Sequence, residues 1–342
     1  MVALTPVVAH IVITNPKIRK GECGDGRKER IAAMAGGETE EVKAAVTATI
    51  AVAGVTAGLH AVHLASGAEI AIAPDLVLPT ASVFKTPLVV EVFHQAEAGL
   101  FSLDDRIELE DRYKTLASGV LQRLQSGIAP TIRDLIVLTT IISDNTATEM
   151  LVERIGGAAA FNRALANFGM ADSHYAFGAH GMFLAGFGLP PDAPLAEVQA
   201  AAIARPWDYM SAAFARDASN TVSTARDIAT LIARIAKGEI LSRAGALELM
   251  TIMAHQQHTD RIPRCLPYGS VSNKTGTIGG VRSDAGLIRR GDDDLIAYAM
   301  LTFDPTPLPA GNSAVLRERA ATVNALFADI GVLLWDRLGR AA

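Results

Sequence analysis

From Thr39 the chain reads TEEVKAAVTATI, a polar cap and two acids ahead of small apolar residues, and this predicts a first helix. AGLHAVHLASGAEIAIAP, from Ala57, then alternates apolar and polar positions around Ser66-Gly67-Ala68, the pattern of a hairpin. Between Ser82 and about Gly238 the period becomes helical. PLVVEVFHQAEAGLFSLDD carries an apolar stripe that stops at Gly99, with Ser102 and two aspartates opening the next element. TIRDLIVLTTIISDNTATEMLVERIGG is a long amphipathic run interrupted at Ser143-Asp144-Asn145, and STARDIATLIARIAKGE has a Ser/Thr start and a Lys-Gly stop. YGSVSNKTGTIGGVRSDAGLIRRGDDDLIAYAMLTF returns to strand character, with Lys274 at a strand start and turns at Gly279-Gly280 and Gly291-Asp292. SAVLRERAATVNALFADIGVLLWDRL closes the chain as a helix. The order of helix, strands, helical block, strands and helix predicts a sheet built from both ends of the chain around an all-helical insertion.

Composition narrows the class. The chain has 342 residues, enough for two modest domains; half are hydrophobic and a fifth charged, which suits a globular protein with a sizeable core. The net charge of -5 argues against a nucleic acid or an anionic membrane surface as partner. The basic stretch KIRKGECGDGRKER from Lys17 is broken by acids and glycines and reads as a solvated part of a mobile N-terminal extension, residues 1–38. No element fits residues 1–33, and one reading moves the native start from Met1 towards Met34. No disulfide between Cys23 and Cys265 is expected, no signal-peptide or membrane-spanning pattern is present, and the expected location is the cytoplasm. His60 and His63 are three apart on a strand and face opposite sides, which disfavours a metal pair; neither metal nor cofactor is expected, and the partner is a small-molecule substrate.

Chemistry enters with Ser82-Val83-Phe84-Lys85. Residues three apart on a helix share a face, so the Lys85 amine can reach the Ser82 hydroxyl. A buried amine loses hydration and proton affinity, and can then act as a base towards serine. Alone, the spacing is weak: a surface serine and a snorkelling lysine give the same letters. Two further triplets change the weight, Ser143-Asp144-Asn145 inside an apolar run and Lys274-Thr275-Gly276 followed by Thr277. Each of the three motifs occurs once, in the order S-x-x-K, S-D-N, K-T-G.

With SVFKTPLVVEVF, SGVLQRLQSGIAPTIRDLIVLTTIISDNTAT, NTVSTARDIATLIARIAKGE and KTGTIGGVRSDAGLI, the chain from about residue 40 onwards resembles the class A type serine β-lactamases. The resemblance implies an α/β (α+β) two-domain fold: an antiparallel sheet flanked by helices (39–81 with 222–342) beside an all-helical domain (82–221). It implies Ser82 as nucleophile and Lys85 as its base or proton shuttle. Ser143 would relay a proton to the leaving nitrogen, and Asn145 would hold Lys85 and a substrate amide. Lys274 would stabilise charge near the Ser143 hydroxyl, Thr275 and Arg282 would bind a substrate carboxylate, and the Ser82 and Thr277 N–H groups would form the oxyanion hole. Gly276 leaves room for substrate along the strand edge.

One departure stands out. The family's E-x-x-L-N loop, whose glutamate activates the deacylating water, is absent, and the region at about 172–220 is longer by about 25 residues. Glu197 there reads as part of a short solvated helix. His180 falls near the place of the family's glutamate and is the candidate deacylation base, ahead of Asp172 and Tyr175. Trp207 and Tyr209 are candidates for an acyl pocket or for core. The expected activity is that of a serine hydrolase cleaving a lactam, another small cyclic amide or an ester through acyl-Ser82. The alternatives are a penicillin-binding or sensor-like protein, or an acyl transferase, acylated at Ser82 and slow to deacylate.

Overall fold

A computed structural model describes residues 39–306 and 313–339. The N-terminal extension, the Met34 start and Cys23 lie outside the described residues. The first helix, α1 (Thr39–Ala53), leads into β1 (Thr56–His63) and β2 (Glu69–Ile72), joined by the expected hairpin. The last third supplies β5 (Val271–Ile278), β6 (Val281–Arg289), β7 (Leu295–Phe303) and the closing helix α10 (Ser313–Arg337). All five strands pair antiparallel in the order β2-β1-β7-β6-β5, so the two ends of the chain meet at the β1–β7 ladder. Both faces of this sheet are covered. α1 and α10 close one face around Leu59, Tyr298, Phe327 and Ile330, and α8 (Ala225–Ala236) packs on the other. Buried faces on both sides explain why β7 reads LIAYAMLTF without alternation, each residue buried. They also account for the burial of His60 and His63, of which His60 meets Glu69 and His63 meets Ser66.

Between a two-residue pair of strands, β3 (Leu78–Pro79) and β4 (Val222–Ser223), runs the helical part: α2 (Lys85–Glu97), α3 (Ile132–Ile141), α4 (Asn145–Arg154), α5 (Gly157–Asn167), α6 (Ala179–Phe187) and α7 (Leu195–Ala204). Thr131 and Asp134 form a reciprocal cap at the start of α3. After α8, α9 (Arg243–Ala254) begins at the Ser242 cap. The long region at 172–220 is itself structured. α6 and α7 bury Phe183, Leu184, Phe187 and Val198 in a small core of their own, and Trp207 stacks on Phe187 at 4.3 Å. Trp207 is therefore a core residue of this insertion, while Glu197 is exposed on α7.

Two sequence expectations are corrected. Lys274 lies in the middle of a strand that begins at Val271, because Val271-Ser272-Asn273 already pair with β6. Cys265 is disulfide-bonded, against the expectation of unpaired cysteines. Disulfides persist in oxidising compartments, so the cysteine argument for a reducing location falls. Among the described residues no helix is long and apolar enough to cross a membrane.

Candidate active site

Ser82 sits in the 3-10 turn Ala81–Phe84 that opens α2. Ala81 takes a positive φ of 45°, an uncommon conformation for a residue with a side chain, immediately before the serine. The turn is pressed against the free edge of β5. A Cβ on Gly276 would stand 2.5 Å from the Thr80 carbonyl and 3.0 Å from the Ser82 nitrogen, so this strand can pass the serine only as glycine. That approach brings the segment just before Thr277 against the Ser82 amide, as an oxyanion hole built from those two N–H groups needs.

One turn on, Lys85 is almost completely buried, and its amine donates to the Ser143 carbonyl at 2.8 Å, the Ser143 hydroxyl at 3.1 Å and Asn145 Oδ1 at 2.7 Å. Ser143 has φ +58°, and in this turn its carbonyl and its hydroxyl both face the one amine. Burial pulls the Lys85 ammonium down to about 7, against the opposing fields of Asp144 and Glu149. The Asn145 amide accepts from Lys85 through its oxygen and donates to the Leu116 carbonyl at 2.8 Å through its nitrogen. A primary amide has two N–H bonds, so one remains for a ligand.

Asp144, between them, is fully buried and accepts from the backbone N–H groups of Val120, Leu121 and Ala147. Across the cleft, Lys274 is buried on β5 and donates to the Thr275 carbonyl at 2.7 Å. Burial depresses its amine well below the ordinary lysine value, and the positive charges of Lys85 and Arg261 push the same way. Beneath it Asp284, cross-strand from Thr275, is raised to about 6 by burial, although it accepts from Asn273, Tyr298 and the Ile262 N–H.

Arg282 donates to the Gly279 and Val281 carbonyls at the β5–β6 turn. The guanidinium that reaches the Thr277 hydroxyl is that of Arg261, held also by the Gly276 and Ser283 carbonyls. Arg261 lies in the loop after α9, and no motif in RIPRCLP marks it. His258, in the same loop, also escaped the sequence reading. Burial, and then the charge of Lys274, disfavour its protonation.

His180 occupies the first turn of α6, where its backbone N–H donates to Glu149 at 3.4 Å; its Nδ1 is enclosed without a hydrogen-bond partner among the described residues. Asp172 is exposed, and Tyr175 is buried with its ring 5.3 Å from Phe84 and 5.1 Å from Phe161. Tyr209 stacks on Phe214 near the Gly279-Gly280 turn. Among the described residues no three His, Cys, Asp or Glu side chains gather as a metal-ligand set.

A half-buried serine and, one turn on, a buried lysine thus face a lysine-bearing strand edge on a mixed α/β scaffold. The profile of the β-lactamase enzyme family matches residues 40–338, and the chain belongs to that family. The β-lactamase of Sphaerobacter thermophilus superposes with a TM-score of 0.67 at 27% identity, over 87% of this chain and 97% of that one. A single-substitution variant of PBP-A, solved as an acyl-enzyme complex with penicillin G, superposes with a TM-score of 0.67 at 24% identity, over 87% and 94%. Beta-lactamase L2 of Stenotrophomonas maltophilia is 35% identical over 116 residues, which is 34% of this chain and 38% of that protein. The fold is that of the class A β-lactamases.

Proposed function

We propose that the protein is a serine hydrolase that opens a lactam, another small cyclic amide or an ester through an acyl-Ser82 intermediate. The observation that carries this reading is the Lys85 amine, buried, brought to about 7 and tied to Ser143 and Asn145. In its neutral form it takes the Ser82 proton as Oγ attacks the substrate carbonyl. The oxyanion is held by the Ser82 and Thr277 N–H groups, each contributing on the order of 3 kcal/mol. Ser143, which accepts from Lys85, hands a proton to the leaving nitrogen. Asn145 retains one N–H for a substrate amide, and Thr275, Thr277 and the guanidiniums of Arg261 and Arg282 provide for a carboxylate.

A second reading is favoured by the lack of an E-x-x-L-N glutamate: an acylated sensor-like protein or acyl transferase that releases its acyl group slowly. Intact mass against time with a chromogenic cephalosporin decides between them. A transient adduct on Ser82 with continuing colour supports the hydrolase, and a lasting stoichiometric adduct supports slow release. No adduct with β-lactams, small esters or other cyclic amides would sink both.

Arg261 gives a separate prediction. Arg261→Lys keeps charge but cannot serve two carbonyls and Thr277 together. KM for a carboxylate-bearing substrate should rise by about tenfold or more, with a neutral ester much less affected. Equal effects on both substrates would assign Arg261 a structural role.

A further inference from the structure

The glutamate that the family carries in its loop is missing, yet a glutamate lies on the helix whose Asn145 holds the Lys85 amine. Glu149 follows Asn145 by four residues on α4, so the two share a helix face, and Asn145 Oδ1 accepts from Lys85 at 2.7 Å. Burial raises the Glu149 carboxyl above its ordinary value; against that burial, the His180 N–H and the Lys85 amine favour its charged form, and the field of Glu149 in turn favours the charged amine. The same carboxyl group accepts from the backbone N–H of His180 at 3.4 Å, with the Ala179 N–H also directed to it, at the N-terminus of α6. Gly178 completes the joint, since a Cβ there would collide with the Glu149 carboxyl group. Glu149, Lys114, Thr115 and His180 wall a cavity of about 420 Å³, in which Thr115 Oγ1 and His180 Nδ1 have no hydrogen-bond partner among the described residues.

We propose that Glu149 is a positioning residue which couples the inserted helix α6 to Lys85, one carboxylate both stabilising the charged Lys85 amine and anchoring the first turn of α6. The inference rests on the function proposed above. In deacylation, water adds to the acyl carbon and its proton passes to the neutral Lys85 amine. The C–Oγ bond then breaks, the proton returns to Ser82 Oγ, and the carboxylic acid departs with the Ser82 hydroxyl and the neutral Lys85 amine regenerated. A negative neighbour stabilises the ammonium formed on the way. Burial alone would make Lys85 too weak a base; the fields of Asp144 and Glu149 offset it, while on the other side Asp284 faces Lys274 and Asp260 faces His258.

The test compares Glu149→Gln, whose amide oxygen can still accept the α6 N–H groups, with Glu149→Ala, which can do neither. Lys85 is titrated by lysine Cε NMR in a Ser82→Ala background, free of any turnover. The midpoint near 7 should move down by about 0.5–1 pH unit in Glu149→Gln. Hydrogen exchange at Ala179 and His180 should stay near wild type in Glu149→Gln and accelerate by about tenfold or more in Glu149→Ala. With Ser82 intact, deacylation should slow in both variants, more in Glu149→Ala. An unmoved Lys85 midpoint in Glu149→Gln, or unchanged exchange in Glu149→Ala, overturns the coupling. Failure of wild-type protein to form an adduct would instead overturn the proposed function, and the titration and exchange results would be read apart from it.

Discussion

Lys85→Met should slow acylation of Ser82 by roughly 10³-fold or more while leaving the chain folded. Methionine fills a similar volume and carries no charge to bury, but it cannot take the serine proton. It also leaves Asn145 Oδ1 and the Ser143 oxygens without their shared donor, so Tm should change modestly rather than collapse. The pH dependence distinguishes lost basicity from lost packing. The active form of Lys85 is the neutral amine, and its fraction grows as pH rises. Because burial lowers the amine from the ordinary 10.5 to about 7, wild-type acylation should rise through pH 7 and level off near 8, not above 10. In Lys85→Met the residual rate should lose that limb. A limb that persists in the variant belongs to another group, and Lys85 would then not be the base. Ser82→Ala, run in parallel, should show no adduct at any pH.

The elements of the fold were legible because each rests on a local signal. The Ser66-Gly67-Ala68 turn, the Lys-Gly stop after α8 and the polar break between α3 and α4 all write their boundaries into the sequence. The three motifs were equally visible, since S-x-x-K fixes Ser82 and Lys85 on one helical face. What brings Ser143 to Lys85 is a tertiary contact 58 residues distant in the chain, and only the resemblance pointed to it. Glu149 and Arg261 were not visible for the same reason. An acid on an amphipathic helix reads as solvated, and nothing in IPRC says that the preceding arginine turns inward to three acceptors on the sheet. The inside of the insertion was hidden for the same kind of reason. Within YAFGAHGMFLAGFG, Phe183 and Phe187 find Trp207 and form a small core that only the third dimension assembles.

Asp144→Ala tests what holds the site in place, and the expected loss is large. The carboxylate is fully buried, accepting from Val120 at 2.6 Å and Leu121 at 3.0 Å through one oxygen and from Ala147 at 3.0 Å through the other. Removing it orphans three backbone donors, two of them in the segment that approaches α4 through Gly119. That glycine has φ +107°, and a Cβ there would collide with the Asp144 carboxyl group. We expect destabilisation of about 3–5 kcal/mol, seen as a fall in Tm of roughly 5–12 °C. Activity should fall further than stability explains. The same segment holds Asn145 from both sides, its N–H on the Ser118 carbonyl and its side chain on the Leu116 carbonyl, and Asn145 in turn holds Lys85. Asp144→Asn should recover only part of the loss, because its single oxygen can serve one side and its NH2 group meets donors on the other. A Tm within about 2 °C of wild type for Asp144→Ala would contradict this account. Normal stability with a lost Lys85-dependent pH limb would leave Asp144 a purely electrostatic part, since its field is the largest opposing the burial of Lys85.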